Sequence, residues 1–260
     1  MIENLRALFH ARELLEAWTG RIIRARYQQS ILGGLWAIIQ PGAAAIIFSV
    51  VFTQAIKVDT SGMPYLLFSY VALVPWTLFA ASLSDMVNSQ TENMNLVTKI
   101  YFPREILPLA SLMARLLDFA IALCVFVVLA IFYQHLVISL MWLYLPVILV
   151  IQVLFVLGLG LMGAALNVFY RDVRHIVALG LQIWMYVSPV IYPSNLVPAN
   201  LRVWYFLNPM AGILESYRAV LLYDKSPDGT LAFAGVIAVG VFVFGYWLFK
   251  RVEFQFADVV

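Results

Sequence analysis

The chain has 260 residues, of which 63% are hydrophobic and only 12% are Asp, Glu, Lys or Arg. Soluble domains carry about 25% charged residues, so this composition excludes an ordinary soluble fold and makes lipid the solvent for much of the surface. The formal net charge of +2 gives no bulk argument for nucleic acid or another polyanionic partner.

Residues 1–30 interleave Glu3, Arg6, Arg12, Glu13, Glu16, Arg21, Arg24 and Arg26 with apolar residues and have no continuous apolar core, unlike a signal peptide. Leu8, Ala11, Leu15, Trp18, Ile22 and Ala25 recur at steps of three and four, with Arg6, His10, Glu13, Arg21 and Arg24 on the other side. That spacing predicts an amphipathic helix over 5–29, lying in the plane of the membrane interface as part of a segment 1–34. Gly33 and Gly34 then turn the chain into a long apolar run.

A spanning helix needs about 20 mainly apolar residues. Six such spans are predicted, near Leu35–Thr53, Tyr65–Leu83, Ala110–Phe132, Leu140–Phe169, Ile176–Tyr192 and Leu231–Phe249. They make residues 35–249 an all-α transmembrane domain, followed by a tail, 250–260. With the N-terminus in the cytosol, Arg6, Arg12, Arg21, Arg24, Arg26, Lys99, Arg104, Arg171, Arg174, Lys250 and Arg251 lie inside. Lys57, Arg202, Arg218 and Lys225 lie outside. This eleven-to-four bias predicts that both termini are cytosolic. No internal repeat echoes between the halves, as an inverted-repeat secondary transporter would require.

Between spans two and three, the stretch Ser84–Leu107 carries Met94, Leu96, Val97, Ile100 and Phe102, too apolar for a solvated linker and in need of a partner surface. Pro103 and Pro108 break the chain direction before span three. In that span Arg115 and Asp118, at i and i+3, read as a structural ion pair. Cys124, the single cysteine, reads as a small buried hydrophobe. Between spans five and six, Pro189, Pro193, Pro198 and Pro209 bracket two apolar stretches, Val203–Leu207 and Ala211–Leu222, too short to cross. They predict a broken, re-entrant, outward-facing hairpin that gates a pore exit.

Gly158-Leu159-Gly160-Leu161-Met162-Gly163 matches the dinucleotide pattern letter for letter, but no strand precedes it and it sits inside a span. Helix packing is the expected role, with Gly160 and Ala164 at small-xxx-small spacing. No phosphate-binding P-loop occurs, so this chain is not expected to bind ATP in that way itself. His10, His135 and His175 fall at span edges or outside, and no metal-ligand spacing or nucleophile–base set is legible. Trp36, Phe48, Phe52, Trp76, Phe79, Trp184, Tyr186 and Tyr192 are candidates to line a conduit for sugar rings, whose apolar faces stack on aromatics.

Four stretches resemble the ABC-2 type permeases that export O-antigen, capsule or teichoic-acid polymers. They are Arg26-Tyr27 with Ser30, Leu32-Gly33, Leu35-Trp36 and Pro41; Lys99 through Pro108; Asn167 with Tyr170-Arg171-Asp172-Val173; and Asn208-Pro209-Met210 with Tyr217-Arg218. Gln28 departs from the pattern, where a basic residue is expected. The resemblance implies a homodimeric, inner-membrane permease that is not itself an enzyme. It implies one P-loop ATPase chain bound to each copy, with ATP and Mg held there. Thr91, Glu92, Asn93, Met94, Asn95, Leu96, Val97 and Lys99 would form the element that docks in the ATPase. Asn208, Pro209, Glu215, Tyr217 and Arg218 would belong to the outward gate. Arg21, Arg24, Arg26 and Tyr27 are expected where a lipid-linked polysaccharide is admitted, because guanidinium groups suit an anionic diphosphate. An ABC-2 exporter of a small hydrophobic drug or lipid is the alternative function. A membrane-embedded enzyme or secondary transporter is the second.

Overall fold

A computed structural model describes residues 11–28, 33–52, 60, 62–100 and 102–257. Among sequence features discussed above, Arg6, Leu8, His10, Ser30, Leu32, Lys57, Tyr101 and the last three residues lie outside that set. The regular structure of the described residues is entirely helical. Its α-helices are α1 (Arg12–Tyr27), α2 (Trp36–Val51), α3 (Tyr65–Glu92), α4 (Met94–Lys99) and α5 (Ile106–Phe132). They continue with α6 (Leu145–Phe169), α7 (Val173–Val187), α8 (Arg202–Tyr205), α9 (Pro209–Leu221) and α10 (Gly229–Val252). Short 3-10 turns cover Gly33–Leu35, Leu140–Tyr144, Ser194–Leu196 and Glu253–Ala257.

Five helical stretches are long and apolar enough to cross a membrane: Gly33–Val51, Tyr65–Glu92, Ile106–Phe132, Leu140–Phe169 and Gly229–Phe256. The predicted fifth span corresponds to α7, an apolar helix of only 15 residues. Two boundaries differ from expectation. The helix of span two does not end at Leu83 but continues to Glu92, because its lower turns also find helices to pack against. Pro108 does not break a helix, since it lies in the first turn of α5, where a missing N–H forfeits no intrahelical bond. Cys124 is not buried but exposed on the outer side of α5.

The central element is α3, with most of its residues buried from Tyr65 to Gln90. It packs on α2, α5, α6, α7 and α9, while α10 lies along α6 in the most extensive helix pair of the bundle. The glycine run of α6 makes this possible. A Cβ on Gly245 of α10 would lie 2.1 Å from the Gly158 carbonyl oxygen, and one on Gly158 would lie 2.6 Å from backbone atoms of Val241 and Phe242. On the other side, a Cβ on Gly160 would meet the Met86 side chain at 2.4 Å, and one on Gly163 would meet Val87 at 2.6 Å. The dinucleotide-like motif is therefore a two-sided packing surface that brings α6 against α10 and α3 at once. Pro75 interrupts the middle of α3, and the buried amide of Gln152 on α6 donates to the Pro75 carbonyl at 2.7 Å.

Gly245→Val should cost about 3 kcal/mol through overpacking against rigid backbone. Gly240→Ala on the same helix, where nothing lies within 4 Å, should leave stability unchanged or slightly raised. Thermal unfolding of both variants in detergent checks the contrast.

Candidate functional site

Three constellations at the ends of the bundle carry its polar chemistry. The first ties α1 to the spans. Arg26 donates to Asp118 on α5 at 2.8 Å and to Asp85 on α3 at 2.9 Å. Arg115 donates to the same two carboxylates, at 2.7 Å to Asp85 and 3.2 Å to Asp118. Tyr27 donates its hydroxyl to the other oxygen of Asp118. Burial, reinforced by the Asp118 carboxylate, pushes the Tyr27 phenol up to about 12, so it remains a donor at physiological pH. Two guanidiniums face two carboxylates, and the charges balance.

The expected Arg115–Asp118 pair is present, but as half of a larger network. Asp85 was missed because span two was expected to end at Leu83. Its signal is an acidic residue two positions past the apolar run that ends at Leu83. Arg26, expected to face a lipid headgroup, is instead engaged by protein carboxylates, while Arg21 and Arg24 are exposed. The Arg21 guanidinium lies over the Trp18 ring at 4.5 Å. Above the network opens a cleft of ≈160 Å³ between α1, α2, α3 and α5. Arg26, Tyr27, Arg115 and Asp118 form its polar end, and Trp36, Val74, Leu78 and Phe119 its apolar walls.

The second constellation surrounds α4. Val97 is the buried residue of this six-residue helix; Met94 and Leu96 pack on the core, whereas Glu92, Asn95, Thr98 and Lys99 are exposed. Asn167, at the end of α6, donates to the Val87 carbonyl at 3.0 Å and to the Thr91 hydroxyl at 3.3 Å, fixing the approach to Asn93. A groove of ≈330 Å³ beside it is lined by Thr91, Glu92, Met94, Arg171 and Arg174. The Lys99–Pro108 stretch is explained by its anchors. Gln90 donates to the Arg104 carbonyl at 2.7 Å, and the buried Glu105 pairs with Lys250 of α10 at 2.8 Å.

The third lies at the opposite end. Asn208 caps α9 by accepting from the Met210 N–H at 3.1 Å, accepts from the Trp184 indole at 2.9 Å, and donates to the Ser188 hydroxyl at 2.8 Å. Arg218 is 1% exposed; it pairs with Glu215 at 2.9 Å and donates to the carbonyls of Val190 at 2.8 Å, Phe68 at 3.4 Å and Tyr192 at 3.5 Å. Its guanidinium stacks on the Phe68 ring at 3.7 Å. Tyr65 donates to the Ile191 carbonyl. Pro209 and Tyr217 are buried, Tyr217 edge-on to Phe119 at 6.2 Å. Asn208 and Arg218 thus bind the two ends of α9 to the chain after α7, at Ser188 and at Val190 and Tyr192, with Arg218 also reaching Phe68 of α3 and pairing with Glu215, while Tyr217 packs on α5.

The aromatic candidates for a conduit separate. Trp36 and Tyr186 are exposed, at 53% and 67%. Trp76 and Phe79 are buried within one chain, Phe79 between Trp76, Phe155 and Trp184 at 5.2–5.7 Å. Phe48, Phe52, Trp184 and Tyr192 are half-buried, with Phe52 stacked on Tyr65 at 5.5 Å. Phe79 thus packs helices and presents no face outside its own chain. No group of three or more His, Cys, Asp or Glu among the described residues could hold a metal.

Residues 13–222 match the membrane family described as ABC-2 type transporter, and the chain belongs to that family. It is 32% identical to the O-antigen export system permease protein RfbA of Myxococcus xanthus over 248 residues, 92% of each chain. It is 30% identical to the protein of that name from Klebsiella pneumoniae over 261 residues, 99% of this chain and 97% of the relative. The polysialic acid transport protein KpsM of Escherichia coli is 21% identical over 252 residues, 92% of this chain and 93% of the relative. The chain is thus a multi-span membrane subunit of the transporter type.

Two outcomes test these constellations. Arg26→Gln should cost about 2 kcal/mol, less than for a fully enclosed pair because these side chains are 15–29% exposed. It should also loosen α1, read as a red shift of Trp18 emission in a background with the other tryptophans replaced by Phe. Arg218→Lys should destabilise nearly as much as Arg218→Ala, about 3 kcal/mol, because one ammonium cannot reproduce a fork on three carbonyls; thermal melts of both variants decide.

Proposed function

We propose that this chain is the permease subunit of an ATP-driven exporter of lipid-linked polysaccharide, acting as two copies around a shared channel, with ATP and Mg held by a separate P-loop ATPase. The observation that carries this is similarity along nearly the whole chain to permeases named for O-antigen export, at 32% and 30% identity. The polar networks at the two ends of the bundle give such a permease a place to receive force and a place to seal.

Six crossings fit the geometry better than five. Asn167, near the end of α6, touches Val87 and Thr91 of α3, whereas the Ile191 carbonyl meets Tyr65 at its start. Val87 and Tyr65 are separated by 22 residues of helix, about 33 Å at 1.5 Å per residue, which is a hydrocarbon thickness. The chain from Phe169 to Ile191 therefore returns across it, with α7 completed by the irregular residues 188–191. A re-entrant hairpin follows by the same reasoning. From Ile191 the chain descends to Asn208, which bonds Ser188 and Trp184 and lies ten residues, about 15 Å, before Arg218 along α9. It then rises through α9 to Arg218 at Phe68.

The excess of basic residues at the α4 end supports a cytosolic side there, with both termini on the cytosolic face of the inner membrane. The element 91–99 docks in the ATPase, where the exposed Glu92, Asn95 and Lys99 and the groove at Arg171 and Arg174 offer polar contacts. The substrate is admitted beside α1. Arg21 and Arg24 present charge to the diphosphate, and Arg26 and Tyr27 shape the cleft behind them. Trp36 and Tyr186 are the conduit aromatics left accessible to a sugar chain. Asn208, Pro209, Glu215, Tyr217 and Arg218, the cap and residues of α9, move as a unit with that helix when the exit opens.

Purification from native membranes in mild detergent should bring down a P-loop ATPase at one copy per permease chain. Inverted vesicles holding both chains should take up lipid-linked glycan only with ATP. Deletion of 91–99 should abolish the co-purification and leave the spans folded, and replacing Arg21 and Arg24 by Ala should lower uptake by about tenfold. Uptake of a small amphiphile but no glycan would support the drug or lipid exporter; turnover without any ATPase would support an enzyme or secondary transporter.

A further inference from the structure

We propose that the turn Glu253–Ala257, seated by Phe256, is a strut that fixes α4 to the ends of α5, α6 and α10. In this arrangement Phe256 is a positioning residue for energy coupling. The inference rests on the reading of α4 as the element that docks in the ATPase.

On its own α4 is a poor lever. It has six residues, one of them buried, and its flanks are non-helical: Asn93 sits at φ −115°, ψ 26° and Ile100 is extended. A push on such a segment would be absorbed by rotation at those two joints. The turn Glu253–Ala257 packs directly against it. Within that turn Phe256 is completely buried. Its ring meets Phe169, the last residue of α6, at 5.9 Å and Phe249 of α10 at 5.6 Å, both edge-on. The Arg104 guanidinium, just ahead of α5, lies over the same ring at 5.6 Å. One Arg104 nitrogen, Nη1, is enclosed without a hydrogen-bond acceptor among the described residues, so the ring face is a main partner for that charge.

Lys250 locks the turn from the other side. Its ammonium pairs with Glu253 at 3.0 Å and with the buried Glu105 at 2.8 Å. One aromatic ring and one ammonium therefore join the ends of three long helices beneath α4. Neither contact is needed for the helices to span the membrane. Both are placed where a displacement of α4 has to pass if it is to reach α6 and α10 instead of dissipating at Asn93 and Ile100.

The test uses the permease–ATPase complex in proteoliposomes, with glycan transported per ATP hydrolysed as the readout. Phe256→Ala should leave the complex assembled and hydrolysing ATP while glycan transported per ATP falls at least fivefold; Phe256→Leu, which restores most of the volume, should recover most of the ratio. An unchanged ratio for Phe256→Ala overturns the strut. Because that variant is able to fail in folding, a second measurement leaves Phe256 intact. Spin labels at Thr98→Cys and Phe254→Cys, both exposed positions, are placed in a Cys124→Ala background. Their separation should stay constant between the nucleotide-free and ATP-analogue-bound complex, since α4 and the turn move as one body. A change of several ångströms between the two states overturns the proposal. Failure of the unaltered chain to bind any ATPase overturns the reading of α4, and the strut with it.

Discussion

The contact on which the bundle depends is the backbone-to-backbone approach of α6 and α10 at Gly158 and Gly245. In lipid, apolar side chains gain nothing by leaving their surroundings, so helices associate through close packing and polar bonds. Missing side chains at Gly158 and Gly245 let two backbones touch, and Gly160 and Gly163 let the same helix seat Met86 and Val87 of α3. The result is a rigid α3–α6–α10 core. To it α5, α9 and the less buried α2 and α7 attach.

Polar chemistry is confined to the two ends of that core, and each end is closed by a different device. At one end two arginines and two aspartates neutralise one another and hold α1 against α3 and α5, so the interface helix is a latched part of the domain. At the other, a single buried guanidinium is satisfied by one carboxylate and three main-chain carbonyls, two of them, Val190 and Tyr192, in the irregular chain after α7. Buried carbonyls that no helix satisfies need a donor, and Arg218 supplies it to Val190 and Tyr192. The middle is held by aromatic stacking around Phe79 and by the bond from Gln152 to Pro75.

This division suits a transporter that receives force at one face and opens at the other. Rigid helices carry displacement without loss, and sites bound by a few strong contacts switch between discrete arrangements. The α4 end gathers Glu105, Lys250, Asn167 and Phe256 around a helix too short to be stiff alone. The far end gathers Tyr65, Glu215 and Arg218 at a helix that is almost wholly enclosed by its own chain.

The sequence by itself determined the solvent, the helical class, most of the spans and the family. These follow from composition, run length and short motifs, which are local properties. It also marked the irregular stretches around Pro103 and from Pro189 to Pro209, because prolines and stranded charges lie there; the turn Glu253–Ala257 and the contact of Ser139 with Asp224 carried no such signal. Tertiary structure decided which charges meet. Arg24 and Arg26 carry the same charge but lie two residues apart, on opposite sides of α1, so one is sequestered by Asp85 and Asp118 and the other left exposed; the sequence did not show which side would meet those helices, 59 and 92 residues away. Trp76 and Phe79 look like Trp36 and Tyr186 in the sequence, but the first pair falls inside the core and the second outside it. The glycine motif was legible as packing; that it packs two partners, one on each face, was not. Side-chain type sets what a residue is able to do, and the long-range pairing of helices selects which neighbour it does it with.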